Sequence, residues 1–125
     1  MEGPELLAEA LGNLPGGERK WKGGLFIEWA GRPGAEPEVA DLFLTVGAAC
    51  YEAGTGGGRG PSLIVEAAGR LSPAQRQAVA VTLAEWRDER VLAEPGFAAL
   101  LHALAVTLVE WQTEERRLLG DLSDP

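Results

Sequence analysis

Few side chains in this sequence could do chemistry by themselves. His102 is the single histidine and Cys50 the single cysteine. A Ser-His-Asp or Cys-His arrangement would have to use His102, which falls inside the apolar run Phe97 to Val109. A di-iron carboxylate bundle wants Glu-x-x-His, but Ala99 stands three residues before His102. Cys50 and His102 alone cannot build a zinc site of the usual kinds. His102 therefore reads as a buried or edge histidine with a local partner. No catalytic, cofactor-binding or metal-ligating residue is assigned, and the chain is not read as an enzyme.

Carboxylates recur at helical spacing, Glu85 with Glu89 and Glu110 with Glu114, a spacing that acid–base or metal chemistry can use. The plainer reading is a solvated acidic helix edge. Each pair flanks a tryptophan, so that edge would also suit an Arg-rich partner. The run GTGGGRG at 54–60 lacks the Lys-Ser/Thr ending and the preceding strand of a phosphate loop. It reads as a flexible Gly-rich loop. Glu18-Arg19-Lys20-Trp21-Lys22 is the one basic cluster, and it carries an aromatic. A loop of that kind can touch phosphates while its ring stacks on a base, but so few charges on an acidic chain give modest, salt-sensitive affinity. Trp86 and Trp111 read as core or seam residues. Trp21 and Trp29 suit a partner surface better, since tryptophan is enriched at binding hot spots. The candidate partner-binding residues are thus Arg19, Lys20, Trp21, Lys22 and Trp29.

Helices have to position these residues. The strongest pattern is a repeat: AVAVTLAEWRDER at 78–90 returns as ALAVTLVEWQTEE at 103–115, at a constant offset of 25 residues. Phe26-Ile27-Glu28-Trp29 echoes its tail. The pair predicts an antiparallel helical hairpin over about 72–92 and 97–119, joined by a turn at Ala93-Glu94-Pro95-Gly96. Thr82 would then lie opposite Thr107, with Trp86 and Trp111 at opposite ends. Val79, Leu83 and Trp86 would meet Leu104, Leu108 and Trp111 along the seam. The last helix has a second apolar face at Leu101, Ala105 and Val109, so it reads as either the central helix or a dimer interface.

Local signals place the rest. Pro4 opens a first helix from Glu5 to Leu11, closed by Gly12 and Asn13. Residues 12–24 read as a loop rich in breakers. Leu25 to Trp29 reads as helix on the strength of the echo, with a short strand also open. A helix begins at Pro37, buries Val39, Leu42, Phe43, Val46, Ala49 and Cys50, and ends at Gly54. Gly47 in its middle suggests the close approach of another backbone. Pro61 to Ala68 forms a short helix. Ser72-Pro73-Ala74-Gln75 is a capping box with proline at the first helical position. Gly120 should stop the last helix, leaving a frayed end at 121–125. The fold class predicted is all-α: a single-domain bundle of five or six helices spanning 1–125.

Composition bounds the function classes. A net charge of −8 repels phosphate backbones and anionic lipid and favours solubility or a basic partner. One cysteine allows no internal disulfide and suits a reducing, cytoplasmic setting. Met-Glu-Gly-Pro-Glu lacks the charge and apolar core of a signal peptide, and no apolar run reaches bilayer length. The function expected is non-catalytic: a helical interaction or regulatory protein with a protein partner, self-associating as a homodimer through the last helix. A second reading is a small helical subunit, or phage-type inhibitor, of a nucleoprotein complex of the CRISPR kind; direct nucleic-acid contact is disfavoured by charge. A third is a small-ligand-binding bundle.

Overall fold

The computed structural model describes residues 2–14, 16–52, 59–88 and 95–123, without the side chains of 16–22, 95–96 and 118–123. Among the described residues the chain forms six α-helices and no strand: α1 (Gly3–Gly12), α2 (Gly16–Ala30), α3 (Pro37–Glu52), α4 (Gly60–Gly69), α5 (Pro73–Asp88) and α6 (Pro95–Ser123). The all-α bundle is the observed architecture. Helix α6 runs through its middle, in contact with α1, α4 and α5, while α3 joins α2 to α4. The turn residues 89–94 and most of the Gly-rich loop, 53–58, lie outside the described residues, as do Asp124 and Pro125.

Helix starts follow the local chemistry. The Ser72 hydroxyl accepts from the Gln75 backbone N–H at 3.2 Å, and the Gln75 side chain accepts from the Ser72 N–H at 2.8 Å. This is the expected capping box, satisfying donors the first turn would otherwise leave unpaired. Ser72→Ala should therefore cost about 1 kcal/mol, read as a lower urea midpoint with an unchanged slope. Pro4 and Pro61 sit in the first turns of α1 and α4. Gly34, with φ of 85°, makes the left-handed turn between α2 and α3 that a side chain would disfavour.

Helix α1 is capped from far away in sequence. The Glu110 carboxylate accepts from the Glu2 N–H at 2.8 Å and from the Gly3 N–H at 2.6 Å. A negative charge at a helix N-terminus is where the dipole favours it. Gly3 permits this fit, because a Cβ there would stand 2.6 Å from the Thr107 hydroxyl.

Two boundaries differ from expectation. Residues 12–24 are not all loop: the chain is helical again from Gly16. Helix α2 holds four glycines, each costing about 1 kcal/mol against alanine, so tertiary packing decides it. Phe26 is fully buried, and Gly23 lets α2 cross α3 closely enough that a Cβ would lie 2.9 Å from the Gly47 carbonyl oxygen. Residues 25–29 accordingly belong to a helix. At the other end, α6 continues through Gly120 to Ser123. A glycine ends a helix reliably only where it turns left-handed; within one it merely weakens it.

The hairpin of α5 and α6 is antiparallel, with Trp86 beside Phe97 and Arg76 beside Gln112. Val79, Leu83, Leu104 and Leu108 are buried as expected. The tryptophans depart from that seam. Trp86 joins an aromatic cluster with Phe26, Phe43 and Phe97, at centroid separations of 5.4, 5.8 and 6.3 Å. Trp111 turns to α4, donating to the Val65 carbonyl at 2.8 Å and lying over Gly69, where a Cβ would fall 2.7 Å from its ring. The two threonines also differ: Thr107 is buried beneath α1, whereas Thr82 is partly exposed. The duplicated sequence thus serves two different packing jobs.

Candidate functional site

Trp29 is the candidate residue whose side chain is described, and it is a packing residue. Its indole stacks on Phe43 with centroids 4.0 Å apart, and the Arg32 guanidinium lies over the ring at 5.2 Å. An open groove of about 270 Å³ runs past its edge, between Glu36, Val39, Ser72 and Gln75. Gln75 donates there to Glu36 and Glu38. Arg19, Lys20, Trp21 and Lys22 lie in the N-terminal half of α2; their side chains fall outside the description. Arg32 follows the C-terminal end of that helix.

On α6 the acidic pair Glu110 and Glu114 is engaged rather than merely solvated. Glu110 caps α1, and Glu114 pairs with Arg117 at 2.6 Å. Glu115 grips Arg76, whose side chain is only 3 % exposed. That guanidinium donates to both Glu115 oxygens, to Gln112 at 3.0 Å and to the Leu71 carbonyl at 2.8 Å. Its hydrogen bond holds the Glu115 carboxyl below the usual range against the opposing effect of desolvation, and its charge adds a smaller lowering effect. The arrangement clamps α5 to α6. His102, expected at a buried or edge position, is exposed on α6. Among the described residues no group of three or more His, Cys, Asp or Glu is placed to hold a metal ion. None of the described helices is long and apolar enough to cross a membrane.

Inside the bundle, a crevice among Phe26, Phe43, Val46, Ile64, Leu83 and Thr107 measures about 10 Å³. That is room for about one water, and the Thr107 hydroxyl already donates to the Ala103 carbonyl. An internal ligand would have to push core side chains apart.

The outer face of α3 and α4 is different. Leu44, Tyr51 and Leu63 are 46, 44 and 46 % exposed, and Ile27 is 39 % exposed where α2 crosses Gly47. Leu44 and Leu63 face each other across an open groove of about 230 Å³ floored by Ala48, Ala49 and Gly60, with Thr45 and Glu52 on its α3 side. Small residues there let the two helices approach: a Cβ on Gly60 would lie 3.0 Å from that of Ala49. Along the exposed side of α4 come Arg59, Ser62, Leu63, Glu66 and Arg70. Arg70 is bound to Asp41 of α3 at 3.2 Å.

No protein-family model, curated protein or solved structure matches this chain. The geometry of its own surfaces therefore carries the functional reading.

Sequence reasoning assigned the second apolar face to α6, where Leu101 is buried, Ala105 is half-buried and Val109 is 63 % exposed. It passed over the same signal in α3. Leu44, Ala48 and Tyr51 recur at helical spacing beside an already complete buried stripe, and all three are exposed. That spacing was the available clue.

Proposed function

We propose that this protein is a non-catalytic interaction protein that docks protein surfaces through the outer face of α3 and α4. The observation that carries the reading is the pair Leu44 and Leu63, each 46 % exposed, lining one small-residue groove, with Tyr51 and Ile27 also exposed beside it where α2 crosses α3. Single exposed apolar residues are ordinary, but a contiguous set marks a contact surface. The interior supports the same reading, since its buried charge and aromatic cluster are spent on packing. A reducing, cytoplasmic setting suits a chain whose one cysteine, Cys50, lies in the core.

The test is a capture experiment in the native host with tagged protein. Wild type should retain a protein that the Leu44→Asp, Leu63→Asp double variant loses, while both unfold at closely similar temperatures. Recovery of the same proteins by both would sink the proposal.

A further inference from the structure

We infer that the occupant of the α3–α4 groove is a second copy of this chain, paired antiparallel along α4 about a twofold axis beside Leu63. The inference rests on the docking surface proposed above and names its partner.

The exposed side of α4 has a self-complementary order. Arg59, Leu63 and Glu66 occupy one helical face, with an apolar residue between opposite charges. Arg59 and Glu66 are seven residues apart, about 10 Å along the helix. The midpoint between them falls between Ser62 and Leu63. Laying a second α4 antiparallel across that midpoint brings Arg59 of each copy to Glu66 of the other and stacks the two Leu63 side chains at the centre. Both contacts occur twice, as an isologous interface requires. Leu63 of each copy then enters the groove of the other, over Ala48, Ala49 and Gly60 and against Leu44.

Charge argues for this occupant over a strongly basic or acidic partner. Around the groove stand Asp41, Glu52 and Glu66 with Arg59 and Arg70, and Arg70 already neutralises Asp41. A face of mixed sign is best matched by its own reverse. The net charge of −8 per copy opposes association at long range, but at physiological salt that repulsion is screened beyond about 8 Å. The contact should be a weak, concentration-dependent dimer of the small-interface class.

Sedimentation equilibrium over a wide concentration range, at physiological salt, reads the outcome. Wild type should move from monomer towards dimer, and Leu63→Asp should weaken the dimer by about a hundredfold, as loss of a central anchor does. Arg59→Glu and Glu66→Arg should each weaken it about tenfold, because each places like charges together at both ends. Mixed in equal amounts, those two single variants should associate as tightly as wild type, since all four charges then meet opposites. A monomer at every concentration removes the second copy as occupant but leaves the capture experiment to decide the docking surface. A dimer indifferent to Leu63→Asp and to both charge reversals, or no recovery on mixing, also overturns the inference.

Discussion

Arg76→Ala should lower the stability of the bundle by about 3 kcal/mol, the largest loss expected from any single polar side chain described above. Arg76 is 3 % exposed and distributes its donors over Glu115, Gln112 and the Leu71 carbonyl. Truncation removes the clamp between α5 and α6, opens a cavity at the base of the hairpin and strips the Leu71 oxygen of its donor. Arg76→Met should cost much less, about 1 kcal/mol, because apolar volume replaces the stem and the desolvation of the ion pair is relieved. Urea unfolding at neutral pH measures both. Equal losses for the two variants would show that the charge, and not the volume, holds the hairpin.

Acid should bring wild type and Arg76→Met together. The Glu115 carboxyl is held below its ordinary value of 4.5 in the folded protein by the Arg76 hydrogen bond. A depressed folded value means that the contribution is complete above the unfolded value and disappears as pH falls through the folded one. Arg76→Met lacks the pair and lacks this dependence. The stability gap between the two should therefore hold at neutral pH and close as pH falls below 4.5 and through the lowered folded value. A gap that stays constant to pH values where the protein acid-unfolds would refute the linkage.

Gly47→Ala is the second large effect, a loss of about 2 kcal/mol despite the better helix propensity of alanine. Its new Cβ would stand 2.7 Å from Ile27 Cγ1 and 2.9 Å from the Gly23 carbonyl oxygen. Ile27 can adjust its rotamer, but the carbonyl belongs to the backbone of α2 and moves only with the helix. Gly12→Ala is the matching control. Nothing lies within 4 Å of a Cβ there, so alanine should stabilise by about 0.5 to 1 kcal/mol. Opposite shifts of the urea midpoint are expected for the two substitutions. A stabilised Gly47→Ala would mean that α2 and α3 do not cross at this glycine pair.

The sequence was most legible where local chemistry and periodicity agree. Pro4, Pro37, Pro61 and the Ser72 capping box located helix starts, and the buried stripe of α3 could be read directly from spacing. Gly47 announced a close crossing, though not its partner. Gly23 could not be read as that partner, because a glycine that ends a helix and one that notches a helix look alike until the neighbour is known. The same ambiguity turned residues 12–24 into a loop. Arg76 was invisible as a clamp, since nothing local distinguishes it from any surface arginine, and its partners lie 36 and 39 residues away. The repeat foretold the hairpin correctly but implied symmetry. Surroundings broke it: α4 takes Trp111, and the aromatic cluster takes Trp86.

The Glu110 cap on α1 ties the beginning of the chain to a residue 107 positions later. Helix α1 also touches α4, but its main dock is α6, so most of its contacts form only once segments far apart in sequence have met. Leu7, Leu11 and Leu14, all buried in the finished protein, stay in water or in transient company until then, while α2 and α3, neighbours in sequence, can pair locally. Closing so long a loop is entropically costly before any contact rewards it. Docking of α1 should consequently come late in folding, onto a structure whose middle already exists.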